Sequence, residues 1–200
     1  PDATDPKVFP LTKRRHTMSL HLIIGDKLLS SWSLLAALAL GLTGAPYTEE
    51  LIKLGKPDTR ALLLKHSPTA KVPLLKTARG TVADSLAIAE YLAEQFPSEQ
   101  LWPTDIAARA QARSACAQMH SGFFAMRNHM PFNLSHDAPL NPVPPEVKVD
   151  IERMLALWAE CRAVATESGP YLFGRVSLAD AFFAPIAVRL RTYQVKLPDA

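Results

Sequence analysis

Ser30-Ser31-Trp32-Ser33 stands where an apolar strand pattern, Leu20-His21-Leu22-Ile23-Ile24, hands over to an apolar helical pattern beginning at Leu34. Hydroxyls at such a junction cap the helix N-terminus, where free backbone N–H groups and the positive end of the helix dipole favour an anion. A hydroxyl there is also suited to stabilise a thiolate. Capping alone would account for Ser30 or Ser31, so the stretches on either side have to decide between the two roles.

Outward from this junction the pattern is regular. Leu34, Leu35, Leu38 and Leu42 recur at helical spacing, and Gly41, Gly44 and Pro46 close the element. Tyr47 to Leu54 alternates in part and fits a second strand parallel to the first, which completes a βαβ unit. Residues 57–66 predict a short helix ended by Pro68. Ala70 to Lys76 predicts a strand, and a turn through Arg79-Gly80 leads back along Thr81-Val82 as a hairpin. Asp84-Ser85 caps a helix to Phe96, with Leu86, Ala89, Ala93 and Phe96 on one face and Pro97 as its stop.

After Pro97 the composition changes. A linker over 98–103 leads to a helix expected from about Thr104 to Asn128, striped by Ala112, Cys116, Met119, Phe123, Met126 and Met130, a stripe read as core. His120, Arg127 and His129 lie on the same stretch and could line a cleft, although lone polar residues on a long helix usually face water. Pro131 to Pro145 holds five prolines and reads as a loop. A helix from Pro145 to about Ser168 is expected to bury Ile151, Leu155, Leu157 and Trp158. Ser177-Leu178-Ala179-Asp180 is a capping box with Asp in the Glu position, opening a last helix through Phe183, Ile186 and Leu190. The fold class is therefore α/β plus all-α: a βαβ-α-ββα domain over 18–97 and an all-helical domain over 104–200, preceded by a disordered leader at 1–17.

Composition narrows the function. The 200 residues are 48% hydrophobic, enough for a core without staples. Cys116 and Cys161 stand alone in separate helical patterns, so neither a disulfide framework nor a metal site is expected, and a reducing, cytoplasmic setting suits them. A net charge of +3, with scattered basic residues, does not point to nucleic acid. The longest apolar run, Leu34 to Leu42, is too short to span a bilayer.

Five local matches, in order, resemble the soluble glutathione transferases. Ser30-Ser31-Trp32-Ser33 occupies the place of the redox C-x-x-C of thioredoxin-like domains and resembles the S-S-C-S motif of zeta-class transferases and their bacterial relatives. Ser67-Pro68-Thr69-Ala70-Lys71-Val72-Pro73-Leu74-Leu75 is similar to the family's N-P-x-G-x-V-P-x-L loop, whose proline is cis. Asp84 to Leu92 is similar to its E/Q/D-S-x-x-I-x-x-Y-L. Leu101-Trp102-Pro103, with Arg109 and Arg113 after it, matches the linker and the start of the long helix, and Phe173-Gly174 followed by Ser177 to Asp180 matches the late capping box.

The resemblance covers about residues 19–193 and implies a thioredoxin-like first domain, glutathione as co-substrate and a homodimer. It also assigns the site. Val72, before a cis Pro73, would pair its backbone with the cysteinyl unit; Ser85 would hold the γ-glutamyl carboxylate and Asp84 its ammonium; Lys71 would meet the glycine carboxylate. Ser30 would donate to the thiol and lower its pKa from about 8.5, with Ser31 and Ser33 as rivals. The activity implied is conjugation of glutathione to a small apolar electrophile. The alternatives are a glutathione-dependent isomerase, of the maleylacetoacetate type, or a peroxidase, and a scaffold that has lost catalysis. Two departures stand out. Zeta-class proteins carry an Arg shortly after the serines, where this chain has Leu34-Leu35-Ala36-Ala37, and Trp32 replaces their Cys.

Overall fold

The run Leu20-His21-Leu22-Ile23-Ile24 becomes strand β1 (Leu20–Ile24), second in a four-stranded sheet. Its alternate residues serve two cores. Leu20, Leu22 and Ile24 join the large one, while Ile23 meets Leu63 and Leu74 on the opposite face. The computed structural model describes residues 19–197, so the leader expected at 1–17 lies outside the described residues.

From β1 the chain runs through α1 (Ser31–Gly41), β2 (Tyr47–Leu51), α2 (Thr59–Leu64), β3 (Leu74–Thr77), β4 (Gly80–Ala83) and α3 (Ser85–Gln95). The sheet order is β2-β1-β3-β4. β2 lies parallel to β1 with Leu20 opposite Tyr47, and β3 is antiparallel to it with Leu22 opposite Leu75. This is the βαβ-α-ββα order of a thioredoxin-like domain. Helix α1 is apolar nearly all round because it is covered on several sides, packing on α3 and on a helix from the far end of the chain.

A 3-10 turn at Pro97–Glu99 leads into four helices: α4 (Ile106–Ser121), α5 (Phe124–His129), α6 (Pro145–Ala163) and α7 (Leu178–Thr192). The capping box forms as expected. Ser177 Oγ accepts from Ala179 N at 3.3 Å, and Asp180 Oδ2 accepts from Ser177 N at 2.8 Å. α7 then packs against both α1 and α4, tying the helical half to the sheet half.

Three expectations are corrected. The strand predicted from Ala70 starts only at Leu74, since Ala70 takes a left-handed φ of 48° and Pro73 has no N–H for a ladder. The Val72–Pro73 peptide is cis. The long helix expected to Asn128 breaks after Ser121: a Cβ on Gly122 would lie 2.8 Å from the Gln118 carbonyl oxygen, and Phe123 adopts φ 58° before α5 resumes. The stripe stays buried through the break, and Asp150 of α6 accepts from Met126 N at 2.9 Å near the new N-terminus. Third, α6 ends at Ala163 and buries Val147, Met154, Leu157 and Cys161. Of the residues expected inside, only Leu157 is fully buried; Ile151, Leu155 and Trp158 are half-buried on an adjoining strip. No helix among the described residues is long and apolar enough to cross a membrane.

Candidate functional site

Pairing of β3 with β4 sets Leu74 opposite Ala83, so the loop before β3 and the start of α3 face each other. Between them opens a cavity of about 670 Å³. Lys71, Val72 and Pro73 line one side, and Asp84 and Ser85 the other. Ser85, in the first turn of α3, is buried, and unpaired N–H groups there make a seat for a carboxylate. Asp84 caps the helix, its Oδ1 accepting from Leu86 N at 2.8 Å. It is held at φ 81°, a conformation that costs a non-glycine residue about 1–3 kcal/mol and is found where surroundings impose it.

Two further residues close the cavity, Trp32 from α1 and His120 from α4. Their rings meet edge to face with centroids 5.1 Å apart. His120 Nε2 reaches Asp84 Oδ2 at 3.2 Å, across the boundary between the halves.

The serines form a buried chain of hydrogen bonds. Ser30 is the N-cap of α1, its Oγ accepting from Ser33 N at 3.3 Å and donating to Ser33 Oγ at 2.8 Å. Ser33 Oγ in turn accepts from Gly25 N at 2.9 Å, and Ser33 is fully buried. Ser31, Trp32 and Leu35 border a second, narrow cleft. Trp32 is thus a wall shared by the cavity and the cleft.

The far side of that cleft carries two arginines, Arg127 of α5 and Arg189 of α7. Arg127 stacks over Trp32 with its guanidinium 4.8 Å from the ring centroid. Arg189 is 6% exposed and donates from Nε to the Met130 carbonyl at 2.9 Å. Among the described residues neither guanidinium has a carboxylate within ion-pair distance. Burial, and then the charge of Arg127, lower the Arg189 pKa to about 10; burial lowers that of Arg127 as well. A buried and a half-buried cation without a counter-ion are an arrangement that an anion would relieve.

Residues 29–95 match the glutathione S-transferase N-terminal domain. Glutathione S-transferase 1 of Dianthus caryophyllus is 30% identical over 164 residues, covering 78% of this chain and 72% of the relative. The chain belongs to the glutathione S-transferase family. A probable maleylacetoacetate isomerase of Caenorhabditis elegans is 33% identical over 99 residues, half of this chain, and this chain spans 46% of that relative. The solved holo structure of a maleyl pyruvate isomerase, a bacterial glutathione S-transferase of the zeta class, superposes with a TM-score of 0.67 at 26% identity, covering 88% of this chain and 85% of that one.

In this transferase the residues expected to hold glutathione, Lys71, Val72, Pro73, Asp84 and Ser85, gather round one cavity. Ser30 does not line it; its hydroxyl is turned inward to Ser33. His120, Arg127 and Arg189 were not assigned to the site from the sequence. The only local sign was Gly122: a glycine inside an apolar helical stripe marks a break, and this break re-aims Arg127 at Trp32. His129, weighed with them, pairs instead with Glu146 in solvent at 3.2 Å.

Proposed function

We propose that this transferase adds the glutathione thiolate to small unsaturated carboxylic acids and, where the adduct collapses back, isomerises their double bond. The observation that carries this is the carboxylate-free pair Arg127 and Arg189 beside Ser31 and Trp32. It supplies from the helical half the cation missing after the serine motif. The isomerases among its relatives bear names of acidic substrates.

Glutathione would lie in the cavity with its γ-glutamyl carboxylate at Ser85, its ammonium toward Asp84, its cysteinyl unit along Val72 and its glycine carboxylate near Lys71. Ser30 would turn its O–H from Ser33 to the sulfur and hold it as thiolate. The thiolate attacks an alkene carbon conjugated to a carbonyl. A C–S bond forms, and the π electrons move onto the carbonyl oxygen as an enolate. The former double bond is now single and can rotate. If the enolate pushes back, the C–S bond breaks, the alkene reforms in the trans geometry and glutathione is regenerated. If a proton reaches the enolate carbon first, the product is a conjugate. Both outcomes share one binding mode, with the guanidinium pair on the substrate carboxylate. The cleft holds about 10 Å³, so an acid enters as Arg127 swings on its flexible stem. A homodimer is part of the proposal, as is a cytoplasmic setting, with which the two free, buried thiols are in keeping.

The test is steady-state kinetics with a cis maleyl keto acid and with the uncharged 1-chloro-2,4-dinitrobenzene. Arg189→Met and Arg127→Met are each expected to lower kcat/KM for the acid by about 10- to 100-fold, the worth of a lost charge-assisted contact, and to leave the uncharged substrate far less affected. Equal losses on both substrates would return the protein to the apolar-electrophile reading.

A further inference from the structure

We infer that His120 is a positioning residue for glutathione: from the helical half it fixes the Asp84 carboxylate that receives the γ-glutamyl ammonium, so that recognition of this end of glutathione depends on α4. This rests on the assignment of Asp84 to that ammonium under the proposed function.

The geometry is specific. Asp84 Oδ1 accepts from the backbone N–H of Leu86 at 2.8 Å, and its Oδ2 lies within ion-pair distance of His120 Nε2, at 3.2 Å. Beside a carboxylate oxygen the attractive arrangement places the hydrogen on Nε2, toward Asp84. Among the described residues the other ring nitrogen, Nδ1, is buried with no hydrogen-bond partner, and Asp84 is the polar side chain beside the ring. Trp32 stands edge-on against the imidazole with an interplanar angle of 62°, so the ring is braced from the α1 side. The His120 carbonyl also accepts from Arg127 Nη1 at 3.4 Å.

An ion pair at the surface kept only for stability is worth little. Nor does it require a ring nitrogen sealed from water. What His120 contributes is orientation. Asp84 is half exposed on a residue at φ 81°, and with Oδ1 taken by its own helix the remaining oxygen is the one that meets a ligand. Anchored by His120, that oxygen stays at the cavity wall instead of turning into solvent, and its remaining lone pairs are available to an ammonium. Because His120 also abuts Trp32, which borders the second cleft, the glutathione end and the acid end share one brace.

The experiment measures calorimetric affinities of the full-length protein for glutathione and for its deamino analogue, in which glutaryl replaces γ-glutamyl. The wild type is expected to prefer glutathione by about tenfold, the worth of one charge-assisted contact. In His120→Leu the preference should shrink to about twofold or less. His120→Gln places an amide N–H where Nε2 lies and should restore it, whereas His120→Asn reaches only the Nδ1 position and should not. A change in packing alone would not separate Gln from Asn. Were His120→Leu to unfold, the Gln and Asn pair alone decides the matter. Retention of the full preference in both His120→Leu and His120→Asn would overturn the inference, and Asp84→Asn shows where the fault lies. If Asp84→Asn abolishes the preference, only the role of His120 is wrong; if it too keeps the preference, the Asp84 assignment itself fails.

Discussion

The Arg127 guanidinium lies 4.8 Å from the centre of the Trp32 ring, and the same ring borders the cavity proposed for glutathione. A cation over an indole face is worth about 0.5–2 kcal/mol, more as water is excluded. Trp32 stands at the Cys position of the S-S-C-S motif that this stretch resembles, and here it is a wall that aims a cation. Trp32→Leu should therefore lower kcat/KM for an acidic electrophile by about 3- to 30-fold, through Arg127, and weaken glutathione to a lesser degree. Trp32→Phe should recover part of the first loss. Kinetics on acidic and uncharged substrates side by side check both, and equal effects of the two variants would remove the stacking argument.

Ser33 stands behind Ser30 in the same way. Gly25 N–H is given to Ser33 Oγ, which leaves the Ser33 hydroxyl hydrogen free to turn toward Ser30 once Ser30 donates to sulfur. Aligned donors polarise one another. In an ultraviolet titration of bound glutathione, Ser30→Ala should raise the thiol pKa by about one unit or more, and Ser33→Ala by a smaller amount in the same direction. No change in Ser33→Ala, with the protein still binding glutathione, would leave Ser33 a purely structural link between the β1 turn and α1.

Much of the sheet half was legible because its signals are local. Strand β1 is apolar but for His21, Ser30 and Asp84 are capping residues directly before apolar helices, and the cis proline loop sits one short hairpin from the α3 cap. Those features place Lys71, Val72, Pro73, Asp84 and Ser85 round one cavity without knowledge of the helical half. Residues contributed from the helical half were not legible, since their roles depend on how α4, α5 and α7 meet α1. His120 looks like any polar residue on an alanine-rich helix until α4 brings it to Asp84. Arg189 sits in an apolar stripe, and nothing nearby in the sequence says that no carboxylate will reach it. The buried face of α6 was misjudged for a related reason: its apolar positions cover more than one strip, and only packing on α5 and α4 selects Val147, Met154, Leu157 and Cys161.

Those packed helices hold both thiols, and this sets the alkaline stability of the protein. Burial pushes Cys161 up to about 11 from 9.0, aided by Glu160 and Asp180, and pushes Cys116 well above its ordinary value too. The unfolded chain releases these protons first. Between pH 9 and 11 the folded state holds more protons than the unfolded one, so stability falls as pH rises, by up to about 1.4 kcal/mol per unit for each thiol, and is unaffected by them below pH 9. Arg189 has the opposite sign, but only above about 10, where its lowered pKa lets the folded state lose its proton before the unfolded one. The clean window is therefore pH 9 to 10. Urea melts across it, under reducing conditions, should show the decline in the wild type and a flatter profile in Cys116→Ala/Cys161→Ala, even if that variant is weaker throughout. Equal slopes would mean that the thiols already ionise in the folded state.

Asp180 contributes to that thiol shift and also holds up α7, and the two roles separate by substitution. Its carboxylate accepts from Leu172 N at 3.0 Å, from Ser177 N at 2.8 Å and from Ser177 Oγ at 3.1 Å, so it closes the capping box and pins the preceding turn to the helix that carries Arg189. Asp180→Ala leaves two backbone N–H groups without their acceptor in a half-buried place, which should cost about 2–4 kcal/mol by urea denaturation and, because α7 starts less firmly, lower turnover of acidic substrates along with stability. Asp180→Asn keeps one acceptor oxygen and loses the charge. It should recover part of the stability, yet still ease the ionisation of Cys116 and Cys161, seen as faster alkaline modification of the thiols relative to the wild type. If Asp180→Asn were as unstable as Asp180→Ala, it would be the negative charge at the N-terminus of α7, rather than the hydrogen bonds alone, that secures this helix.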